Sequence, residues 1–86
     1  MIVTYYGRVT KERGRFWGSV SLGSGVVYKT RGTTAKEVIE RIPKVLTNLF
    51  NYMHSRGEHL PVPEETEGAT PFYVNVPDGA DYADHI

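Results

Sequence analysis

The spacing of apolar residues in this chain runs at a period of two, changes to a helical period, and returns to two. From Met1 to Thr10 (MIVTYYGRVT), Val3, Tyr5 and Val9 fall on one face of a strand, with Gly7 between them. Lys11-Glu12-Arg13-Gly14 reads as a turn, charged and supplied with a glycine for positive φ. Arg15 to Leu22 (RFWGSVSL) alternates cleanly. Phe16, Gly18, Val20 and Leu22 point one way; Trp17, Ser19 and Ser21 point the other. So short a connection predicts an antiparallel hairpin. Gly23-Ser24-Gly25 marks a second tight connection, and Val26 to Thr30 a third short strand.

Thr34 to Gly57 then carries a helical stripe of Val38, Ile39, Ile42, Val45, Leu46, Leu49 and Met53. Thr34 and Glu37 form a T-x-x-E capping box at its start. Gly57 suits the left-handed residue that ends a helix, and Arg56 suits the negative end of its dipole. Pro43 lies inside the stripe, where it removes one backbone hydrogen bond at a cost of about 3 kcal/mol. The apolar stripe passes through Pro43 in phase, which predicts one bent helix rather than two. Pro61 and Pro63 force an extended path afterwards. Glu64 to Thr70 is a polar loop, and Phe72 to Val76 (FYVNV) is a fourth strand stopped by Pro77-Asp78-Gly79. The last seven residues, ADYADHI, are expected to be a loose tail.

The order β-β-β-α-β predicts an α+β two-layer domain, an antiparallel sheet with one long helix laid on one face. Residues 1–77 would form that domain and 78–86 an acidic C-terminal tail. The other sheet face would carry Tyr6, Arg8, Trp17, Ser19 and Ser21. At 86 residues the chain makes one domain of modest intrinsic stability, for which self-association as a homodimer is one source of support.

Charge sharpens this picture. All ten Lys and Arg lie in residues 1–60, beside four acids, whereas residues 61–86 hold six acids and no base. The tail would either lie over the basic body or offer an acidic surface to a basic partner, such as a nucleic-acid-binding protein. The absence of cysteine excludes disulfides and thiolate metal sites and suits a reducing cytoplasm. With no apolar run near 18 residues and no signal-peptide pattern, a cytoplasmic protein without a membrane span is expected.

Candidate chemistry is sparse. His54, His59 and His85 have no carboxylate partners at metal-ligand spacing, so neither a metal nor a cofactor is expected. Ser19, Ser21 and Ser24 lack a nucleophile elbow, and Gly23-Ser24-Gly25 precedes a strand instead of the helix N-terminus a phosphate loop needs. No catalytic residue is predicted, and the chain reads as a non-enzyme. Asp78, Asp81 and Asp84 recur every third residue and read as a solvated acidic tail. Tyr6, Arg8 and Trp17 share the open sheet face; such residues stack unpaired bases or anchor protein interfaces.

Residues 1–63 resemble the HicB-like antitoxin family in three ordered features. These are the hairpin TYYGRVTKERGRFWGSVSL, the segment Gly32-Thr33-Thr34-Ala35-Lys36-Glu37-Val38 at the helix start, and Gly57-Glu58-His59-Leu60-Pro61-Val62-Pro63 at its end. The stretch Ser21-Leu22-Gly23-Ser24-Gly25 departs from the family's P-D-L-P-G-C-like turn. The segment from Pro71 to Ile86 is too short for the operator-binding domain of many members. The resemblance implies a sheet with one helix, related to a truncated ribonuclease H fold without its carboxylate cluster. It also implies a non-catalytic inhibitor whose partner is a small basic messenger-RNA-cleaving toxin, and whose binding covers the toxin's active site. The expectation is therefore a single-domain antitoxin, or a relative from a phage or other mobile element, that blocks a nucleic-acid enzyme. Its predicted contacts are Tyr6, Arg8, Trp17, Asp78, Asp81 and Asp84. The alternative is a single-stranded nucleic-acid-binding module using the hairpin face.

Overall fold

The structure is a computed structural model that describes residues 1–23 and 25–83. Strands β1 (Ile2–Glu12), β2 (Arg15–Ser21) and β3 (Val27–Gly32) precede helix α1 (Ala35–Ser55), and β4 (Thr70–Asn75) follows it. The four strands form one antiparallel sheet in the order β3-β2-β1-β4. This is the expected α+β arrangement. Strand β4 closes on β1 and not on β3, so the chain crosses the whole sheet through α1.

The first turn is tighter than the sequence suggested. β1 and β2 stay paired out to Glu12 and Arg15, leaving Arg13 and Gly14 alone at φ 51° and 76°. Two successive positive φ values match the right-handed twist of the flanking strands. β3 and β4 are displaced by one or two residues from their expected limits.

The helix is a single element with Pro43 inside it. Thr34 Oγ1 accepts from the Glu37 N–H at 3.1 Å, as a capping box requires. The return contact differs, because the Glu37 carboxylate accepts from the N–H and hydroxyl of Thr33 instead of the Thr34 N–H. Those two bonds, with the Arg41 guanidinium beside them, hold the Glu37 carboxyl below its ordinary pKa. Arg41 also reaches the Thr30 hydroxyl and the Arg31 carbonyl, tying α1 to β3.

The buried stripe of α1 is Val38, Ile42, Leu46 and Phe50. The expected stripe included Ile39 and omitted Phe50; in the fold Ile39 is 43% exposed and Phe50 fully buried. Steps of four residues advance the contact line by about 40° each. Val38 and Ile42 lie over Gly18 of β2, whereas Phe50 packs on the Tyr5 ring of β1, 5.1 Å between centroids. The helix therefore crosses the sheet obliquely, and its core face rotates along its length.

Strand alternation holds. Tyr5, Val20, Phe72 and Val74 are buried under the helix. Gly18 makes room for α1: a Cβ there would lie 2.5 Å from Val38 and 2.6 Å from Ile42. Within the core the Tyr5 hydroxyl donates to the Pro61 carbonyl at 2.6 Å. It pins the extended Pro61-Val62-Pro63 segment against the sheet.

Burial, with the neighbouring Tyr82 hydroxyl, pushes the Tyr5 phenol well above its ordinary pKa of 10.0. A raised folded-state pKa means the native protein keeps a proton that the unfolded chain loses, so stability falls as pH rises above 10. Tyr5→Phe should cost about 1–3 kcal/mol at neutral pH, because the Pro61 carbonyl loses its donor. It should also flatten the decline above pH 10. Urea unfolding at several pH values measures both effects; an unchanged alkaline slope in the variant would assign it to another group.

The expectation of a loose C-terminal tail is corrected for residues 80–83. Leu60 and Tyr82 form a parallel bridge. The Leu60 N–H donates to the Asp81 carbonyl, and the Ala83 N–H to the Leu60 carbonyl, both at 2.8 Å. Ala80 and Tyr82 pack on the core. The sequence ADYA supplied few apolar groups, so its order depends on backbone pairing with a distant segment.

Candidate interaction surfaces

One face of the sheet lies opposite the helix. Pairing places Trp17 beside Thr10 and Arg31, Ser19 beside Arg8 and Lys29, and Tyr6 beside Pro71. The period of two that buries Tyr5, Val20 and Val74 points these neighbours outward. Two shallow depressions of about 340 and 140 Å³ meet at Ser19, one reaching Trp17 and Lys29, the other Tyr6 and Arg8. A third, of about 280 Å³, runs from Trp17 to Arg15, Arg13 and Arg31.

The Arg31 guanidinium stands 5.9 Å from the Trp17 ring centre. Arg8 donates to the Glu67 carbonyl at 3.2 Å, a backbone contact that leaves its charge uncompensated. Among the described residues, neither Lys29 nor Arg15 has an ion-pair partner. Cations thus cluster around one indole, with Glu12 at the rim beside Arg15.

The predicted contact residues divide into two places. Tyr6, Arg8 and Trp17 share the open face. Asp78 lies beside the chain's amino group, 3.5 Å from it, at the opposite end of β1. Nine residue steps separate Met1 from Thr10, the pairing partner of Trp17, roughly 30 Å of strand. The molecule is 40 Å along its longest axis, so Asp78 and Trp17 sit near opposite ends. Asp81 is exposed on the strap that pairs with Leu60. Asp84 lies outside the described residues, as do His85 and Ser24.

Sequence reading grouped Arg15 with Trp17 but missed Lys29 and Arg31 as members of the same group. Alternation alone gave each strand a face, but neighbours across strands follow from register. The inward face of β3 also holds Tyr28 and Thr30, so the outward Lys29 and Arg31 were recoverable once β3 was aligned with β2. Among the described residues no three His, Cys, Asp or Glu side chains gather where a metal ion could sit. Nor is any helix among them long and apolar enough to cross a membrane.

These elements define an α+β two-layer domain with one sheet face under a helix and the other basic and aromatic. No known family model, curated protein or solved structure matches the chain.

Proposed function

We propose that this protein is a non-catalytic inhibitor resembling HicB antitoxins, which occludes the nucleic-acid groove of a basic partner protein. The partner class is a small messenger-RNA-cleaving toxin or another nucleic-acid enzyme. The observation that carries this reading is the docked strap. Pairing of Leu60 with Tyr82 fixes residues 80–83, so Asp81 is presented from an ordered backbone near Asp78. Ordering before contact reduces the entropy lost on binding. The Asp78 carboxylate is 97% exposed, and its pairing with the terminal amine is too solvated to compete strongly with a basic groove. The β-β-β-α-β order and the buried Leu60 after Gly57 agree with the fold that the HicB resemblance implies. The aspartates act as the steering contact in this account. Trp17 lies too far from Asp78 to anchor the same small footprint.

The test compares wild-type protein with the Asp78→Asn/Asp81→Asn/Asp84→Asn variant. Each is tagged and used for capture from its native host, with and without nuclease. Wild-type protein should retain a basic protein in near-equal amount after nuclease. The purified pair should associate at least tenfold faster than the variant pair at low salt, with the difference shrinking as salt rises. Equal association rates, indifferent to salt, would refute the role of the strap.

A further inference from the structure

The open face opposite the strap has a separate use. We infer that the surface centred on Trp17 binds single-stranded nucleic acid, with the indole stacking one base and Arg31, Lys29 and Arg15 holding the flanking phosphates. Four observations meet there. Trp17 lies half-buried on the open face of the sheet and lines two of its depressions. The Arg31 guanidinium lies over that ring, 5.9 Å from its centre, and would move aside as a base stacks. Lys29 and Arg15 approach the same indole from adjoining depressions and have no ion-pair partner among the described residues. The neighbouring row presents the Ser19 hydroxyl, with Arg8 beside it, before Tyr6 supplies a second, half-buried ring.

The occupant follows from charge and shape. Clustered cations call for a polyanion, and the indole calls for a planar group that can lie on it. An unpaired nucleotide offers both, whereas a duplex keeps its base faces stacked internally. A protein partner would have to supply acids around a ring-binding group at the same spacing. The acids nearby limit the path. Glu12 borders Trp17 at one rim, and the loop carrying Glu67 borders Arg8 at the other. These carboxylates would repel phosphates, so the backbone should run over Arg31 and Lys29, on the β3 side.

Trp17 is the only tryptophan in the chain, so its emission reports on this face alone. The experiment titrates the full chain with oligo-dT and oligo-U of twelve nucleotides, and with a duplex of equal length, at low and moderate salt. Quenching of Trp17 by the single strands, with weaker quenching by the duplex, is expected. Comparing dT with U separates DNA from RNA preference. Labelled-oligonucleotide anisotropy then follows the variants. Trp17→Ala should weaken binding about 5- to 150-fold, the range for one stacked base, and Trp17→Phe should restore part of the loss. Lys29→Gln/Arg31→Gln should reduce the salt slope by about 1.4, as expected for two single-strand phosphate contacts. Asp78→Asn should leave oligonucleotide binding unchanged.

Circular dichroism of each variant checks the fold, and Trp17, Lys29 and Arg31 all lie on the outward face. Absence of quenching at low salt would overturn the inference. So would binding that Trp17→Ala leaves intact, or equal affinity for duplex. Failure here leaves the strap's role standing, since the two surfaces are read by different variants.

Discussion

Phe50→Ala is expected to destabilise the domain by about 3–5 kcal/mol, the usual cost of emptying a buried phenylalanine site. Phe50 is fully buried and stacks obliquely on Tyr5, with 43° between the ring planes. Its loss would remove apolar contact and leave a cavity where α1 meets β1. Tyr5 would also lose the packing that orients its hydroxyl toward Pro61. A chain of this size has about 4–13 kcal/mol of total stability at ordinary values per residue. The loss therefore corresponds to a fall in Tm of more than about 10 °C. Ile39→Ala, at a 43%-exposed position, should cost under about 1 kcal/mol. Thermal and urea unfolding of the pair test the oblique crossing of the helix directly. Equal losses at the two positions would mean that α1 packs on the face its average periodicity suggests.

Gly7→Ala should be nearly as damaging, at about 3 kcal/mol, by overpacking instead of a cavity. A Cβ on Gly7 would lie 2.2 Å from the Ser19 carbonyl oxygen, 2.9 Å from Val20 and 3.1 Å from Phe72. The closest of these atoms is backbone of the paired strand. It cannot retreat without disturbing the β1–β2 ladder, where Gly7 pairs with Val20. Gly7 also pairs with Thr70 of β4, so a shift of β1 to relieve one side disturbs the other. The expected result is a lower midpoint in urea with an unchanged slope, or failure to fold. A variant as stable as wild type would show that β1 has slack the present packing denies it. Because Gly7 separates Tyr6 from Arg8, the same variant should distort the outward face around both.

Much of this architecture follows from short-range pattern. Alternation assigned Tyr5 and Val20 to one side of their strands, and Tyr6, Arg8, Trp17 and Ser19 to the other. The side-chain direction of a strand is local, so a few residues suffice to state it. The helix and its N-terminal cap were equally local, since Thr34 and Glu37 are three residues apart. The capping detail already shows the limit. Glu37 bonds to Thr33, which directly follows the β3 residue Gly32 paired with Phe16 of β2, so its partner depends on the sheet as well as the helix.

The candidate surfaces divide in the same way. That Trp17 and Tyr6 would be outward was legible; that Lys29 and Arg31 would join Trp17 required the register of β3. The acids of residues 78–84 formed one group in sequence, and the basic and aromatic residues formed another. Folding placed Asp78 and Trp17 near opposite ends of β1, with Tyr6 and Arg8 between them.

By itself, the sequence determined the element order, the two faces of each strand and the one long helix, because each depends on residues within a turn or two of one another. Tertiary structure decided that β4 lies beside β1, that Phe50 and not Ile39 is buried, and that Tyr82 returns to Leu60. Those outcomes depend on twist, register and backbone hydrogen bonds between segments far apart in the chain. No local pattern encodes them, because many distant segments can satisfy the same local rule and only the packed whole selects among them.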